Sequence, residues 1–417
     1  MESAEKNIQL EDRVSESHTL RLNRNPVLFS IGKSFAWSIV KTRSYKNYEI
    51  PPETTELMKR QKKYKDIVIY YSSPHRCMWE TVGIPYAISW HGGEIPLIMM
   101  GNNLVKNETG FKERVLKYVL DYSGVVTVER EINPRAAVPI IISDITKILQ
   151  SRRNVLIFPE GTRSKNGLVG NFAPAGFEGL AKAVSAGVEA YVVNVNVDYS
   201  KLIEMETFAA YNELKVIKPL MLNQEFAGLT ESQKLASMRD LYTFTHFATE
   251  EKYLELEAMV KSGNPDFKSQ WETFEDNQKY TFKWSDWKLW KTFIGDTEIS
   301  FGKPIYVEKS SDKHYRGILA KQSRDACMDL IKIHKINVLS EAIVRMNPSF
   351  GAPINNNELY SNIIDVKKDL SRYEDKFRNF SMLTRPEEIS ETTSMMVDSR
   401  LMEGYKIYAN QISHLYG

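Results

Sequence analysis

The chain has 417 residues, enough for two or three domains, and 42% hydrophobic residues from which to build their cores. Its formal net charge of +2 is too small to imply a nucleic-acid partner. The two cysteines, Cys77 and Cys327, make neither a disulfide framework nor a metal-binding spacing, and a reducing compartment is the simple reading.

Residues 1–24 are polar, and Glu2, Glu5, Glu11 and Asp12 argue against a secretory or organelle presequence. From Pro26, Leu28, Ile31, Phe35 and Ile39 recur at helical spacing. Val27, Trp37 and Val40 widen the stripe, and Lys33, Lys41 and Arg43 flank it. This predicts an amphipathic helix, packed on the next domain or lying on a membrane surface. Lys59, Arg60, Lys62, Lys63 and Lys65 follow as a basic run. It reads as a solvated helix face, or as a contact for anionic headgroups or coenzyme phosphates.

Between 65 and 204 strand and helix signals alternate. Strands are predicted at 66–71, 124–129, 154–158 and 190–197. Helices are predicted at 78–90, 112–122, 138–151 and 174–186, the last stopped by Gly187. The run Ile95-Pro96-Leu97-Ile98-Met99-Met100 reads as core. Alternating elements imply an α/β fold, a central, mostly parallel sheet flanked by helices. Residues 205–295 interrupt the pattern as an aromatic-rich helical insertion, and the sheet resumes at 297–307. From 312 onward the period is helical. The domain reading is an N-terminal amphipathic and basic segment (1–64), a catalytic domain (65–310) and a C-terminal helical region (311–417). No run approaches the roughly 18 apolar residues of a membrane-spanning helix. The last residues, His414-Leu415-Tyr416-Gly417, match no retention or peroxisomal tag.

Two stretches carry chemistry. Val155-Leu156-Ile157 reads as a buried strand and runs into Phe158-Pro159-Glu160-Gly161-Thr162-Arg163-Ser164. A carboxylate, a flexible glycine, a hydroxyl and an arginine thus gather where a strand stops, the edge at which α/β sheets bind ligands. The arginine fork and the hydroxyl suit a phosphate, and Gly161 lets the backbone approach it. Upstream, the strand Ile67-Val68-Ile69-Tyr70-Tyr71 leads into Ser72-Ser73-Pro74-His75-Arg76-Cys77-Met78-Trp79-Glu80. His75 is the candidate general base, and Glu80 the carboxylate that would hold its imidazole in one tautomer.

In order, these stretches resemble the blocks of the glycerolipid acyltransferases. The blocks are His75 to Glu80, Gly124 to Arg130, Phe158 to Ser164, and Ala190 to Val195. His75-Arg76-Cys77 and Gly101-Asn102-Asn103-Leu104 look most like the glycerol-3-phosphate and dihydroxyacetone-phosphate acyltransferase branch. The resemblance covers roughly residues 65–204 well and 296–370 loosely. Three residues depart from the family pattern: Glu80 for aspartate, Asn194 for proline, and Cys77 for serine.

The resemblance implies an acyl-thioester-dependent O-acyltransferase of phospholipid synthesis. His75 would take the proton from a hydroxyl of glycerol-3-phosphate or dihydroxyacetone phosphate. Glu80 would orient it. Arg130, Glu160, Gly161, Thr162 and Arg163 would form the phosphate site, with Glu160 organising the arginines. The co-substrate would be acyl-CoA or acyl-ACP, no bound cofactor is expected, and no metal is needed because a thioester is already activated. The implied place of work is cytoplasmic, at the inner face of a membrane. Trp284, Trp287 and Trp290, each next to a lysine (Lys283, Lys288 and Lys291), suggest that 280–293 docks there. An acyl carrier protein is a possible partner. The alternatives are a lysophospholipid acceptor, a lipid ester hydrolase using Ser72 or Ser73, and a catalytically lapsed lipid-binding homologue.

Overall fold

The computed structural model describes residues 44–101, 124–128, 134–164, 166–199, 295–312, 314–346, 356–376, 408–411 and 413–415, with Ser30, Ser34 and Trp37. In chain order the first elements are β1 (Ser44–Glu49), α1 (Pro52–Tyr64), β2 (Ile67–Ser72), α2 (Glu80–Trp90) and β3 (Leu97–Gly101). Then come β4 (Val125–Val128), α3 (Pro134–Gln150), β5 (Val155–Ile157), α4 (Pro174–Ser185) and β6 (Glu189–Tyr199). The last are β7 (Gly295–Phe301), β8 (Ile305–Tyr306), α5 (Tyr315–Asp329), α6 (Lys335–Met346) and α7 (Asn356–Asp369). The predicted helix at 112–122, the 280–293 segment, Arg130 and nearly all of the amphipathic helix from Pro26 lie outside the described residues.

The described residues divide into two compact units, one within 1–163, 170–197 and 282–330, the other within 164–169, 198–281 and 331–417. The first holds the sheet, whose strand order is β1-β7-β6-β2-β5-β3-β4, with β8 beside β6. The pairs β1–β7, β2–β6, β2–β5, β3–β5 and β3–β4 are parallel, while β6–β8 is antiparallel. Every residue of β2 and β5 is buried, so their sheet is covered on both faces. That is the setting a parallel sheet requires, and it is why these strands read as unbroken apolar runs. The mostly parallel, helix-flanked sheet expected from the alternation is present.

The structure adds two strands that the sequence did not announce. The run at 95–100, expected only as core, forms β3 next to β5. β1 is polar in composition and pairs along its whole length with β7. The closing segment expected at 297–307 is broken at Gly302-Lys303-Pro304, which separates β7 from the short β8. Proline has no N–H to give to a ladder, so an uninterrupted strand cannot pass through Pro304.

Local chemistry fixes these elements. Pro52 opens α1 at its first turn, Glu53 stands near the positive end of the helix dipole, and Lys62 and Lys63 stand near the negative end. Asn154, just ahead of β5, fills in for the strand that has not yet begun. Its Oδ1 accepts the Ile69 N–H at 2.8 Å, its Nδ2 donates to Gln61 Oε1 at 2.8 Å, and its carbonyl accepts the Leu97 N–H at 2.8 Å. One buried amide therefore joins β2, α1 and β3. Helices α3 and α4 meet at Gly179, where an added Cβ would stand 2.9 Å from the Ile142 carbonyl and 2.9 Å from Ile145 Cβ. Glycine there permits a closer helix–helix approach than any other residue.

The second unit is built around α6 and α7, as the helical period from 312 predicted. Leu359, Ile363, Val366 and Leu370 form the buried stripe of α7 and its exit, and Val338, Leu339, Ala342 and Ile343 that of α6. Asn337 accepts the His334 N–H at the start of α6 and donates to the Tyr408 carbonyl and to Gln411 Oε1. Asp198 Oδ2 accepts the Lys332 N–H at 2.8 Å.

Candidate active site

The site is set by register. In the parallel ladder Ser72 stands opposite Ile157 of β5 on one side and Asn194 of β6 on the other. The loops that leave β2 and β5 therefore start at the same level of the sheet. The Ser73 N–H donates to the Ile157 carbonyl at 3.2 Å, which keeps them together for one residue more. From here the chain turns to β3 on one side of β2 and from β5 to β6 on the other. Divergent connections at the carboxyl edge open the crevice in which α/β sheets bind ligands.

The first loop ends at Glu80, the first residue of α2. Its carboxylate folds back over the loop. Oε1 and Oε2 both accept the Arg76 N–H at 3.0 Å, and Oε1 accepts the Cys77 N–H at 3.1 Å. Oε2 also lies 2.8 Å from His75 Nδ1. Glu80 is only 1% exposed, so its charge is tolerable because these donors surround it and because it sits at a helix N-terminus. A carboxylate can only accept, so Nδ1 carries the proton and Nε2 is left as the basic nitrogen. Phe158 stacks on the imidazole, with ring centroids 4.2 Å apart and planes 23° from parallel. The ring is thus fixed by a hydrogen bond at one edge and an aromatic face at its side.

The second loop brings Glu160 to the same place. Its carboxylate accepts the backbone N–H groups of His75 and Gly170. Burial pushes its pKa up to about 7; the Arg76 guanidinium and these two N–H groups oppose the rise, and Glu80 adds to it. Oε1 of Glu160 is buried without a hydrogen-bond partner among the described residues. Gly161 makes the turn, donating its N–H to the Phe158 carbonyl at 3.0 Å. Its φ of +69° is a left-handed conformation that side chains disfavour. Thr162 is exposed beside it and Arg163 is half-buried.

His75, Glu80 and Glu160 are therefore brought together, with Gly161, Thr162 and Arg163 following directly on the same turn. Sequence reasoning missed three participants. Phe158 had been read as a strand end and as the first residue of the third block, with no role of its own. Arg76, noted only as part of the His75-Arg76-Cys77 stretch, is 1% exposed with its charge beside Glu160. Asn194, read as a departure from a proline, makes polar contacts to Ser323 described below. His91 caps the end of α2 and packs edge-on against Tyr48 at 5.3 Å.

Glu160 gives a measurable signature. Its folded-state pKa lies above the ordinary 4.5, so protonation favours the fold. That contribution is complete below about pH 4.5 and is lost as the pH rises through about 7. Glu160→Gln cannot lose it. The melting temperature of the variant minus that of wild type is expected to climb between those two values and level off above them. A difference that stays flat with pH would show that the carboxyl is not held in a desolvating site.

No family model and no curated protein matches the sequence. Among solved structures, the chain is similar to the 1-acyl-sn-glycerophosphate (LPA) acyltransferase PlsC from Thermotoga maritima. Identity is 12%, the match covers 72% of this chain and 79% of that one, and the TM-score is 0.35. A score that low does not establish a shared fold. The protein is defined by its own geometry: an α/β sheet with a histidine–carboxylate dyad and a second, near-neutral carboxyl at its carboxyl edge. Among the described residues no helix is long and apolar enough to cross a membrane.

Proposed function

We propose that this protein is an acyl-thioester-dependent O-acyltransferase of glycerolipid synthesis, acting on glycerol-3-phosphate or dihydroxyacetone phosphate. The observation that carries the reading is the His75–Glu80 pair, at 2.8 Å, set beside the Glu160 turn. His75 Nε2 removes the proton from the acceptor's primary hydroxyl. The oxygen attacks the thioester carbonyl, and the tetrahedral intermediate collapses with loss of the thiolate. The imidazolium then returns its proton to the departing sulfur, and the Glu80 carboxylate stabilises the charged ring in the interval. Acyl-CoA or acyl-ACP supplies the acyl group, and the lipid product assigns the enzyme to a bilayer surface, with 280–293 as its contact.

Arg163, Thr162 and Gly161, with Arg130, receive the acceptor phosphate in this reading. Glu160, directly before Gly161 on the turn, organises the arginines in this reading, and its buried Oε1 has no hydrogen-bond partner among the described residues. The two serines favour transfer over hydrolysis. Ser73 Oγ donates to the Pro74 carbonyl at 3.0 Å, and Ser72 Oγ bonds Ser323 at 2.8 Å, so each hydroxyl is engaged away from His75. The intact dyad geometry favours a working enzyme over a lapsed one.

The direct test incubates purified protein with an acyl-CoA and, separately, glycerol-3-phosphate, dihydroxyacetone phosphate and a lysophospholipid, and follows thiol release. Release that needs one of the first two acceptors supports the proposal. Release with the lysophospholipid alone moves the assignment to that acceptor, and release without any acceptor makes the protein a hydrolase. Arg163→Ala is expected to raise the acceptor KM by roughly ten- to a hundred-fold, since charge-assisted contacts contribute about 1.5–3 kcal/mol. The acyl-donor KM should change little. If only the donor constant moved, Arg163 would belong to the other substrate.

A further inference from the structure

Helix α5 packs behind both active-site loops and touches each with a polar group. Ser323 is 1% exposed, and its Oγ lies 2.8 Å from Ser72 Oγ and 2.5 Å from Asn194 Oδ1. A hydroxyl has one proton, so the chain of bonds runs from Ser72 to Ser323 to Asn194. One turn further on, Cys327 is buried with its sulfur 3.6 Å from the Ser72 carbonyl. Ser72 is the last residue of β2 and stands three residues before His75. The next residue of the helix, Arg324, donates from Nε to the Gly170 carbonyl at 3.0 Å. Gly170 is the residue whose N–H Glu160 accepts, and its Cα side lies against that carboxylate: an added Cβ would stand 3.4 Å from Glu160 Oε2.

We propose that α5 is a brace for the site, and that Ser323 and Arg324 are positioning residues that set the His75 loop against the Glu160 turn. Ser323 anchors the first loop at its root. Arg324 holds the strand of chain that meets Glu160. Because the two residues are adjacent on one rigid helix, they fix the distance between the loops. Asn194 is the third point. Its Oδ1 is used, while its Nδ2 is buried without a partner among the described residues. An amide kept in a dry place for one of its two ends is there for that end, since an apolar side chain would fill the space without leaving a donor unpaired. Proline, the residue that the resemblance leads one to expect here, has no such acceptor. In this chain the polar link to α5 stands in its stead.

The inference rests on the acyltransferase reading only through its activity measurement, so a second readout is needed. The His75 Nδ1 proton, bound to a carboxylate, gives a downfield NMR resonance that reports the dyad whatever the reaction is. Ser323→Ala and Arg324→Ala are each expected to lower kcat by about tenfold, because a displacement of about 1 Å at reacting groups costs on the order of 100-fold and these changes permit less. Both KM values should stay within about twofold. The Nδ1 proton should move upfield or broaden in Ser323→Ala, and Arg324→Lys should recover part of the lost turnover. If both alanine variants keep the wild-type kcat and the wild-type resonance, the brace is refuted. The same holds if kcat falls only in step with melting temperature and the resonance does not move. Should Ser323→Ala fail to fold, the half-buried Arg324 pair still decides. Absence of any transfer by wild type would overturn the proposed function, while the resonance would continue to test the brace.

Discussion

His75→Ala is expected to lower turnover by about 10²–10⁴-fold, the range that a positioned general base contributes. The size follows from the geometry. Glu80 fixes the proton on Nδ1, Phe158 fixes the plane of the ring, and the basic lone pair of the imidazole is thereby on Nε2. Stability should also fall, because the buried ring loses both its stack on Phe158 and its hydrogen bond to Glu80, although the Arg76 and Cys77 N–H groups still hold that carboxylate. KM for the acceptor should change less than kcat, since the proton is taken in the transition state. Turnover that survives at more than about a third of wild type would remove His75 from the chemistry; that fraction lies well outside the general-base range.

Glu80 should be nearly as sensitive, and its variants separate charge from reach. Glu80→Gln keeps the length but places an NH₂ among donors, since the Arg76 N–H, the Cys77 N–H and His75 Nδ1–H all point at this group. Either a donor faces a donor, or His75 takes the other tautomer and carries its proton on Nε2 where the base is needed, so the variant is expected to lose about 10²–10³-fold in kcat. Glu80→Asp keeps the charge and shortens the arm by one bond of about 1.5 Å. It can serve the backbone N–H groups or the imidazole, not both at the present distances, so activity should be reduced yet measurable. If glutamine and glutamate were equally active, the carboxylate would be dispensable and the dyad would be a structural contact. If aspartate outperformed glutamate, the longer side chain would be a handicap the loop has not absorbed. The observed contacts, all between 2.8 and 3.1 Å, indicate that the loop is built to the glutamate's length.

Much of the site was legible because its parts are local. His75 and Glu80 are five residues apart in one loop, and Glu160 to Arg163 are consecutive. Residue type and strand-end position sufficed to pick them out. What joins the two stretches was not legible. The pairing of β2 with β5 depends on strand order, which no period encodes, and the stacking of Phe158 on His75 follows from that pairing. Ser323 bonds a residue 251 positions earlier in the chain, and nothing in the local pattern around it marks it. β3 escaped notice because a short apolar run that follows a proline, Pro96, shows no alternation by which to tell a strand from other core. β1 escaped because a polar strand at the edge of a sheet looks like a loop. The burial of Arg76 was not legible for a related reason: arginines are rarely interior, and only the fold shows a carboxylate inside to meet it.

Burial pushes the pKa of the Glu160 carboxyl up to about 7, so that it titrates close to neutral pH. Any ligand that touches it must therefore change its proton occupancy. A hydroxyl that donates to Oε1 favours the carboxylate and expels a proton to solvent. A phosphate brought close favours the neutral acid and draws a proton in. The heat of binding measured at pH 7 will then depend on the ionisation enthalpy of the buffer, and the sign of that dependence states whether a hydrogen-bond donor or an anion has been brought against Glu160.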